Sequence, residues 1–251
     1  MYFKDNKNEA GHAGRSLRGG AVSLIARATN AAIQIGTVLF LARLLSPEDY
    51  GLVSMVAAFT GIAPGLVDLG TRDAVVQRSR ISEGEVSALF WLTMVVGGGC
   101  ALVVAACSPL IARFYGEPRL TSIALVSALI FVTSALACQH SALLRRAMKF
   151  RELGSIEVIA NLISAAGAIA MALYGYHYWA LVLRPLAMSL LLAIGVWLRC
   201  RWLPGKPAVT PAVKEMLKFG VHICGFSVSD FAGRSSDRIA IGYSSGAHAL
   251  G

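Results

Sequence analysis

Two rows of polar side chains interrupt long apolar segments of this chain. The first row is Arg27, Asn30, Gln34 and Thr37, and the second is Ser227, Asp230, Arg234 and Asp237. Spacings of three and four residues place each row on one face of a helix. Ionisable groups inside a membrane are costly and usually face a cavity or one another. The pattern therefore predicts a ligand-binding cavity lined by Arg27, Asn30, Gln34, Ser227, Asp230 and Arg234.

A simpler interpretation of the two rows stays open. Arg234 lies one turn from both Asp230 and Asp237, so these side chains could pair within their own helix. Arg27 could extend its charge toward the lipid headgroups. In that case neither arginine would face a cavity.

Three further groups of polar residues are candidates for chemistry. Glu157 and Asn161, one turn apart, could form a coupling-ion site or a packing contact. Arg72 lies between Asp68 and Asp73, which favours a paired helix end. Arg184 lies inside an apolar segment and could face a cavity or reach the interface past Trp179.

The sequence gives no indication of catalysis. It contains no phosphate-binding loop of the GxxxxGK[ST] kind and no Ser or Cys nucleophile motif. Its histidines lack the spacing of metal ligands. The sequence therefore predicts a protein that is not an enzyme, with no cofactor and no metal.

Composition indicates a membrane protein. Of the 251 residues, 56% are hydrophobic and 15% are charged, against about 25% charged in globular proteins. Apolar runs of about 18 residues or more recur, as membrane helices require. The formal net charge of +9 does not indicate nucleic acid, because the basic residues form short clusters between the apolar runs.

The apolar runs predict seven membrane helices. Their approximate bounds are 20–45, 50–69 with a kink at Pro64-Gly65, 85–112, 120–144, 156–174, a sixth ending near 198, and 216–243. Polar loops separate them, one of which contains Arg72, Arg78 and Arg80. We therefore expect an all-α polytopic membrane protein with a six-helix N-terminal bundle and the first helix of a second, repeated bundle.

The basic residues predict the orientation. With the N-terminus in the cytoplasm, most of the 23 Lys and Arg residues fall on the cytoplasmic side. The opposite side receives only Arg43, Arg113, Arg119 and Arg238. This is the asymmetry that the positive-inside rule describes.

An internal repeat predicts the domain organisation. Residues 39–51 resemble residues 239–251, and Lys218-Phe219-Gly220 aligns with Arg18-Gly19-Gly20 in the same register. Six helices separate the copies, so both copies cross in the same direction. We predict a basic arm (1–18), a six-helix lobe (19–200), a cytoplasmic linker (201–213) and the start of a second lobe (214–251). The alternative is a complete seven-helix protein.

Four segments carry a resemblance to a known family. The turn Leu41-Ala-Arg-Leu-Leu-Ser-Pro-Glu-Asp-Tyr-Gly51 resembles that of the Wzx-type polysaccharide-unit flippases of the multidrug/oligosaccharidyl-lipid/polysaccharide exporter superfamily. The segments 143–151, 174–182 and 219–242 are similar to later parts of that family. The colanic-acid and teichuronic-acid exporter branch is the most similar.

The resemblance implies a transporter of the bacterial inner membrane, working by alternating access around a cationic cavity. Its substrate would be an undecaprenyl-pyrophosphate-linked oligosaccharide, and its partners the lipid bilayer and a polysaccharide polymerase or glycosyltransferases, without nucleic acid. Arg27 and Arg234 would then neutralise the pyrophosphate. Asn30, Gln34 and Ser227 would bind sugar hydroxyls. The alternatives are a cation-coupled multidrug antiporter of the same superfamily, a membrane glycan polymerase or ligase, and an inactive fragment.

Overall fold

The computed structural model describes residues 12–61, 63–68, 70–78 and 81–208, which are mostly helical and contain no strand. The all-α fold class predicted from the sequence is confirmed. The predicted seventh helix and the second copy of the repeat lie outside the described residues. The helices of the described part are α1 (His12–Leu44), α2 (Pro47–Thr60), α3 (Ala63–Asp68), α4 (Thr71–Gln77), α5 (Glu83–Tyr115), α6 (Arg119–Arg146), α7 (Phe150–Leu173) and α8 (Tyr178–Cys200).

Five of these helices are long and apolar enough to cross a membrane. They are Ser23–Leu44 of α1 and the whole of α5, α6, α7 and α8. Large apolar side chains such as Leu24, Leu102 and Leu198 lie exposed on their outer faces. Such surfaces match hydrocarbon rather than water, which identifies a polytopic membrane protein.

The predicted second span is broken rather than kinked. Ser46 and Asp49 cap α2 reciprocally, and α2 ends at Thr60, before the predicted kink at Pro64-Gly65. The short helix α3 follows. The stretch around Arg72, predicted as a loop, contains α4, which begins after Gly70 in the left-handed region at φ 65°.

The long helices pack in the order α5, α6, α8, α7, α1. The segment α2–α4 covers α6, and α2 also touches α8. The helix α1 packs along α7: Ala26 lies beside Gly154, Asn30 bonds Asn161, and Leu41 packs with Ala168 and Ala172. In these pairs the residue numbers increase in the same direction along both helices, so α1 and α7 are parallel. This is expected if the chain crosses the membrane an odd number of times between them.

Close approach between helices depends on single glycines. A Cβ on Gly97 of α5 would lie 2.8 Å from the carbonyl oxygen of Phe131 in α6, whereas Gly98 and Gly99 have nothing within 4 Å. A Cβ on Gly195 of α8 would overlap the side chain of Ile156 in α7. Only one member of the Gly97-Gly98-Gly99 run is therefore needed for the α5–α6 contact, and Gly195 brings α8 against α7.

Candidate functional site in the helix bundle

Three helices bring four polar side chains together on a partly exposed face of the bundle. We call Asn30 and Gln34 of α1, Asn161 of α7 and Arg184 of α8 the polar row. Asn161 Nδ2 donates to Asn30 Oδ1 at 2.9 Å, and Arg184 Nη2 donates to Gln34 Oε1 at 2.8 Å. The two pairs are one helical turn apart on α1, or about 6 Å.

The polar row lies at membrane depth. Asn161 is halfway along the 24-residue α7 and is buried. Arg184 lies about 9 Å along α8 from Tyr178, counting 1.5 Å per residue. It directly precedes Pro185, which lacks an N–H and leaves the carbonyl of Leu181 without its helical donor. An arginine next to a free backbone carbonyl at this depth is a feature that binding sites in membrane proteins use.

Arg184 is held by neutral groups. Its hydrogen-bond partner is the amide of Gln34, and its electrostatic neighbour is the phenol of Tyr50. The Tyr50 hydroxyl is buried and has no hydrogen-bond partner among the described residues. In the described part of the chain no carboxylate forms an ion pair with Arg184. Its positive charge is therefore available to an anion.

Several other arginines of the described residues are already paired with carboxylates. Arg72 with Asp68, Arg78 with Glu85, Arg145 with Glu157 and Arg199 with Glu152 form ion pairs of 3.0–3.8 Å. The predicted pairing of Arg72 with Asp68 is confirmed. Arg146 donates to the carbonyls of Val75 and Arg78 and so closes the end of α4.

An ion triad occupies the opposite end of the bundle. Arg119 binds Glu48 at 2.6 Å and Glu117 at 2.8 Å. It joins the start of α2 to the turn between α5 and α6. The hydrogen bond from Arg119 holds the pKa of Glu117 below its usual range. This cluster is compensated in charge, unlike Arg184.

The site residues predicted from the sequence lie in different surroundings. Asn30 and Gln34 join the polar row, and Thr37 instead donates to the carbonyl of Ile33 on its own helix. Arg27 is exposed, and no hydrogen bond or ion pair involves it in the described part of the chain. Ser227, Asp230 and Arg234 lie outside the described residues, so their role stays a prediction.

Glu157 and Asn161 do not share a partner. Glu157 pairs with Arg145 at 3.7 Å, and Asn161 bonds Asn30. Their use as a coupling-ion site stays a prediction. The described residues contain no group of three or more His, Cys, Asp or Glu side chains that could hold a metal ion.

Arg184 is the site residue that sequence reasoning left undecided. Periodicity placed it inside an apolar helix but could not say which neighbour it meets, because Gln34 is 150 positions away in the chain. The available signal was a charge inside a span directly before a proline. Together, the fold and the polar row define a polytopic helical membrane protein whose bundle carries, at membrane depth, an arginine without a carboxylate partner among the described residues.

Comparison with known proteins identifies the family. The polysaccharide biosynthesis protein family matches residues 40–251, and the chain belongs to this family. Teichuronic acid biosynthesis protein TuaB of Bacillus subtilis is 28% identical over 222 residues, covering 87% of this chain and 46% of TuaB. Lipopolysaccharide biosynthesis protein WzxC of Escherichia coli is 25% identical over 228 residues, covering 86% and 44%.

A third relative is named as a transport protein. Succinoglycan biosynthesis transport protein ExoT of Rhizobium meliloti is 22% identical over 219 residues, covering 87% of this chain and 44% of ExoT. The chain thus spans about half the length of these curated relatives. No solved structure matches it.

Proposed function

We propose that this chain forms the first lobe of a transporter that moves lipid-linked polysaccharide repeat units across the bacterial inner membrane by alternating access. The observation that carries the proposal is Arg184, a half-buried guanidinium at membrane depth held by Gln34 without a carboxylate partner in the described residues. Family membership and the relatives' names support polysaccharide export as the process.

The substrate class follows from the chemistry of the polar row. A lipid-linked unit joins a sugar chain to undecaprenol through a pyrophosphate, whose charge cannot cross hydrocarbon unaided. A guanidinium offers planar, paired donors that fit phosphate oxygens. Asn30 and Asn161, about one turn deeper, offer amides suited to sugar hydroxyls. Arg184 would therefore hold the pyrophosphate beside sugar-binding amides.

The remaining predicted residues extend this proposal. Arg27 and Arg234 would add positive charge along the path, and Ser227 and Asp230 would line it from the second lobe. In this arrangement residues 19–200 form one lobe and residues 214–251 begin the other. The whole protein's activity, its partner enzymes of polysaccharide assembly and a cytoplasmic N-terminus are parts of the same proposal.

The multidrug antiporter is less well supported. A site for cationic drugs needs acidic side chains, and the polar row contains none. Arg184, which belongs to the polar row, would repel a cation that binds at the same depth. Resistance to cationic drugs conferred by the chain and its downstream reading frame would favour this alternative.

Complementation tests the proposal. The chain, alone and extended by its downstream reading frame, is expressed in a bacterium lacking its polysaccharide flippase, and surface glycan is measured. We expect rescue by the extended chain, a loss of about tenfold or more in Arg184→Ala, and partial activity in Arg184→Lys, which keeps the charge but loses the fork.

A matched arginine provides the control. Arg43 is exposed in the last turn of α1, so Arg43→Ala should retain rescue at an equal amount of membrane protein. Arg27→Ala tests whether the exposed arginine of α1 contributes. Full rescue by Arg184→Ala would refute binding through Arg184. Absence of rescue by any extended form would refute the proposed substrate class.

A further inference from the structure

Residues 202–208, which follow α8, lie against the first turns of α5 rather than away from the bundle. Gly205 N donates to Ser87 Oγ at 3.0 Å, and Trp91 Nε1 donates to the Gly205 carbonyl at 3.2 Å. Ala208 N donates to the Gly84 carbonyl at 3.0 Å. We call residues 202–208 the strap.

The beginning of the strap is fixed to α6. His140 Nε2 donates to the Trp202 carbonyl at 3.1 Å, and the His140 side chain is fully buried. The His140 ring stacks on Trp197 of α8 with centroids 4.3 Å apart. Trp197 Nε1 in turn donates to the Leu136 carbonyl at 2.8 Å. One imidazole thus joins α6, α8 and the strap.

Aromatic packing reinforces these polar contacts. Phe90 of α5 meets the rings of His140, Trp197 and Trp202 edge-on, with centroids 6.0–6.2 Å apart. Trp202 is 8% exposed and belongs to the same buried cluster as Phe90. Edge-to-face aromatic pairs stabilise such clusters beyond the area they bury. The strap is therefore anchored by its first side chain as well as by its backbone.

The turn into the strap requires an unusual backbone conformation. Arg201, the cap of α8, has φ 50°, in the left-handed region that favours glycine. A non-glycine residue keeps such a conformation only where its surroundings determine it. Pro204 and Pro207 then restrict the φ angles of the strap. The restricted backbone and the four hydrogen bonds of the strap both hold it in one position.

We propose that the strap is a fixed part of this bundle, which carries the chain from the end of α8 to the first turn of α5 and moves with α5 and α6 as one rigid body. Residues 202–208, the first part of the predicted linker, would then not move independently of the bundle. Movement of the bundle would then be transmitted, at Gly84 beside the N-terminus of α5, to the part of the chain that follows Ala208. This proposal concerns mechanical coupling and is independent of the substrate.

Disulfide trapping in the full reading frame tests the proposal. In a variant with every native cysteine replaced by alanine, Ser87→Cys is combined with Gly205→Cys. A Cβ on Gly205 would lie 3.8 Å from Ser87 Oγ and meets nothing else within 4 Å, so the two thiols can bond. The control pair is Val95→Cys with Gly205→Cys, because Val95 is exposed on α5 about 12 Å further along the axis.

We expect Ser87→Cys/Gly205→Cys to cross-link in native membranes at least about tenfold faster than the control pair, which lies beyond disulfide reach. His140→Ala and Trp202→Ala should each slow this cross-linking several-fold. Leu203→Ala is the matched control inside the strap, since Leu203 is 74% exposed, and it should leave the rate unchanged. Circular dichroism verifies that each variant keeps its helix content.

The function of the cross-linked protein completes the test. Because a disulfide on the cytoplasmic side is reduced in living cells, transport is measured in inverted membrane vesicles, where the strap can be oxidised and reduced at will. If the strap stays fixed during transport, oxidised vesicles should move lipid-linked units as fast as reduced vesicles do. Equal cross-linking by the control pair, or a loss of transport that reduction restores, would overturn the proposal. If neither form transports the units, the proposed function fails, and the cross-linking rates alone decide whether the strap is fixed.

Discussion

Arg184 carries its charge at membrane depth on a half-exposed face of the bundle, and no described carboxylate forms an ion pair with it. An isolated charge in hydrocarbon is expensive, so such residues usually find a counter-ion or serve a ligand. The partner of Arg184 is an amide, which accepts one hydrogen bond and leaves the positive charge intact. An anion that arrives can therefore bind without displacing a carboxylate.

Substitution of Gln34 tests whether transport depends on the free positive charge of Arg184 or on the position in which Gln34 holds it. In Gln34→Glu the carboxylate would stand beside the Arg184 fork and neutralise it, since the existing contact is 2.8 Å. Losing a charge-assisted contact worth about 2 kcal/mol should lower the transport rate by roughly tenfold or more. Gln34→Met removes the partner but not the charge and should cost less. The rate of surface glycan export at matched protein levels measures both, and an acid variant as active as the wild type would contradict anion binding at Arg184.

At the scale of single helices, the sequence predicts those helices that are long, uninterrupted runs of apolar residues. Long apolar runs predict α5 and α6 to within a few residues, and they predict the end of α8. The break after Thr60 and the helix α4 do not follow from the sequence, because they depend on packing of α3 and α4 against α6. The sequence predicts the start of α7 near 156 and not at Phe150, because Arg151 and Glu152 make its first turn polar.

The candidate site was predictable only in part. The polar face of α1 is visible as spacing along one helix, so Asn30 and Gln34 were found. Their partners on α7 and α8 are about 130 to 150 positions away, and helical periodicity carries no information on such pairing. The strap escaped prediction for the same reason, since a Pro- and Gly-containing stretch reads as a linker until its contacts are known.

Replacing either of two glycines of α5 with alanine should change the stability of the fold in opposite directions. At Gly97 a Cβ would meet the Phe131 carbonyl at 2.8 Å and Ala135 Cβ at 2.9 Å, so Gly97→Ala should push α5 from α6 and destabilise the fold by about 1–3 kcal/mol. At Gly99 nothing lies within 4 Å, so Gly99→Ala should be neutral or stabilising by up to about 1 kcal/mol. Unfolding in detergent, followed by tryptophan fluorescence, compares them. Equal effects of the two substitutions would show that the α5–α6 contact does not depend on Gly97.

At the scale of the whole molecule, the two ends of the bundle differ in how their charges are arranged. The end formed by α4, the end of α6 and the start of α7 contains ion pairs of Arg72, Arg78 and Arg145, in addition to Arg146 and Arg151. The other end contains the triad of Arg119 with two glutamates. By the positive-inside rule, we expect the arginine-rich end to face the cytoplasm.

This asymmetry makes the orientation testable with two exposed side chains at opposite ends of α8. Tyr176 precedes the helix and Leu203 follows it, and both are exposed. In the cysteine-free variant, Tyr176→Cys should react with a membrane-impermeant maleimide in spheroplasts, whereas Leu203→Cys should react only after the membrane is permeabilised. A cytoplasmic N-terminus requires this result, because α1 and α7 are parallel and α7 ends beside Tyr176. The reverse labelling would mean that the arginine-rich end faces outward, and Arg184 would then lie near the cytoplasmic surface, where it would meet the substrate before rather than after the membrane midplane.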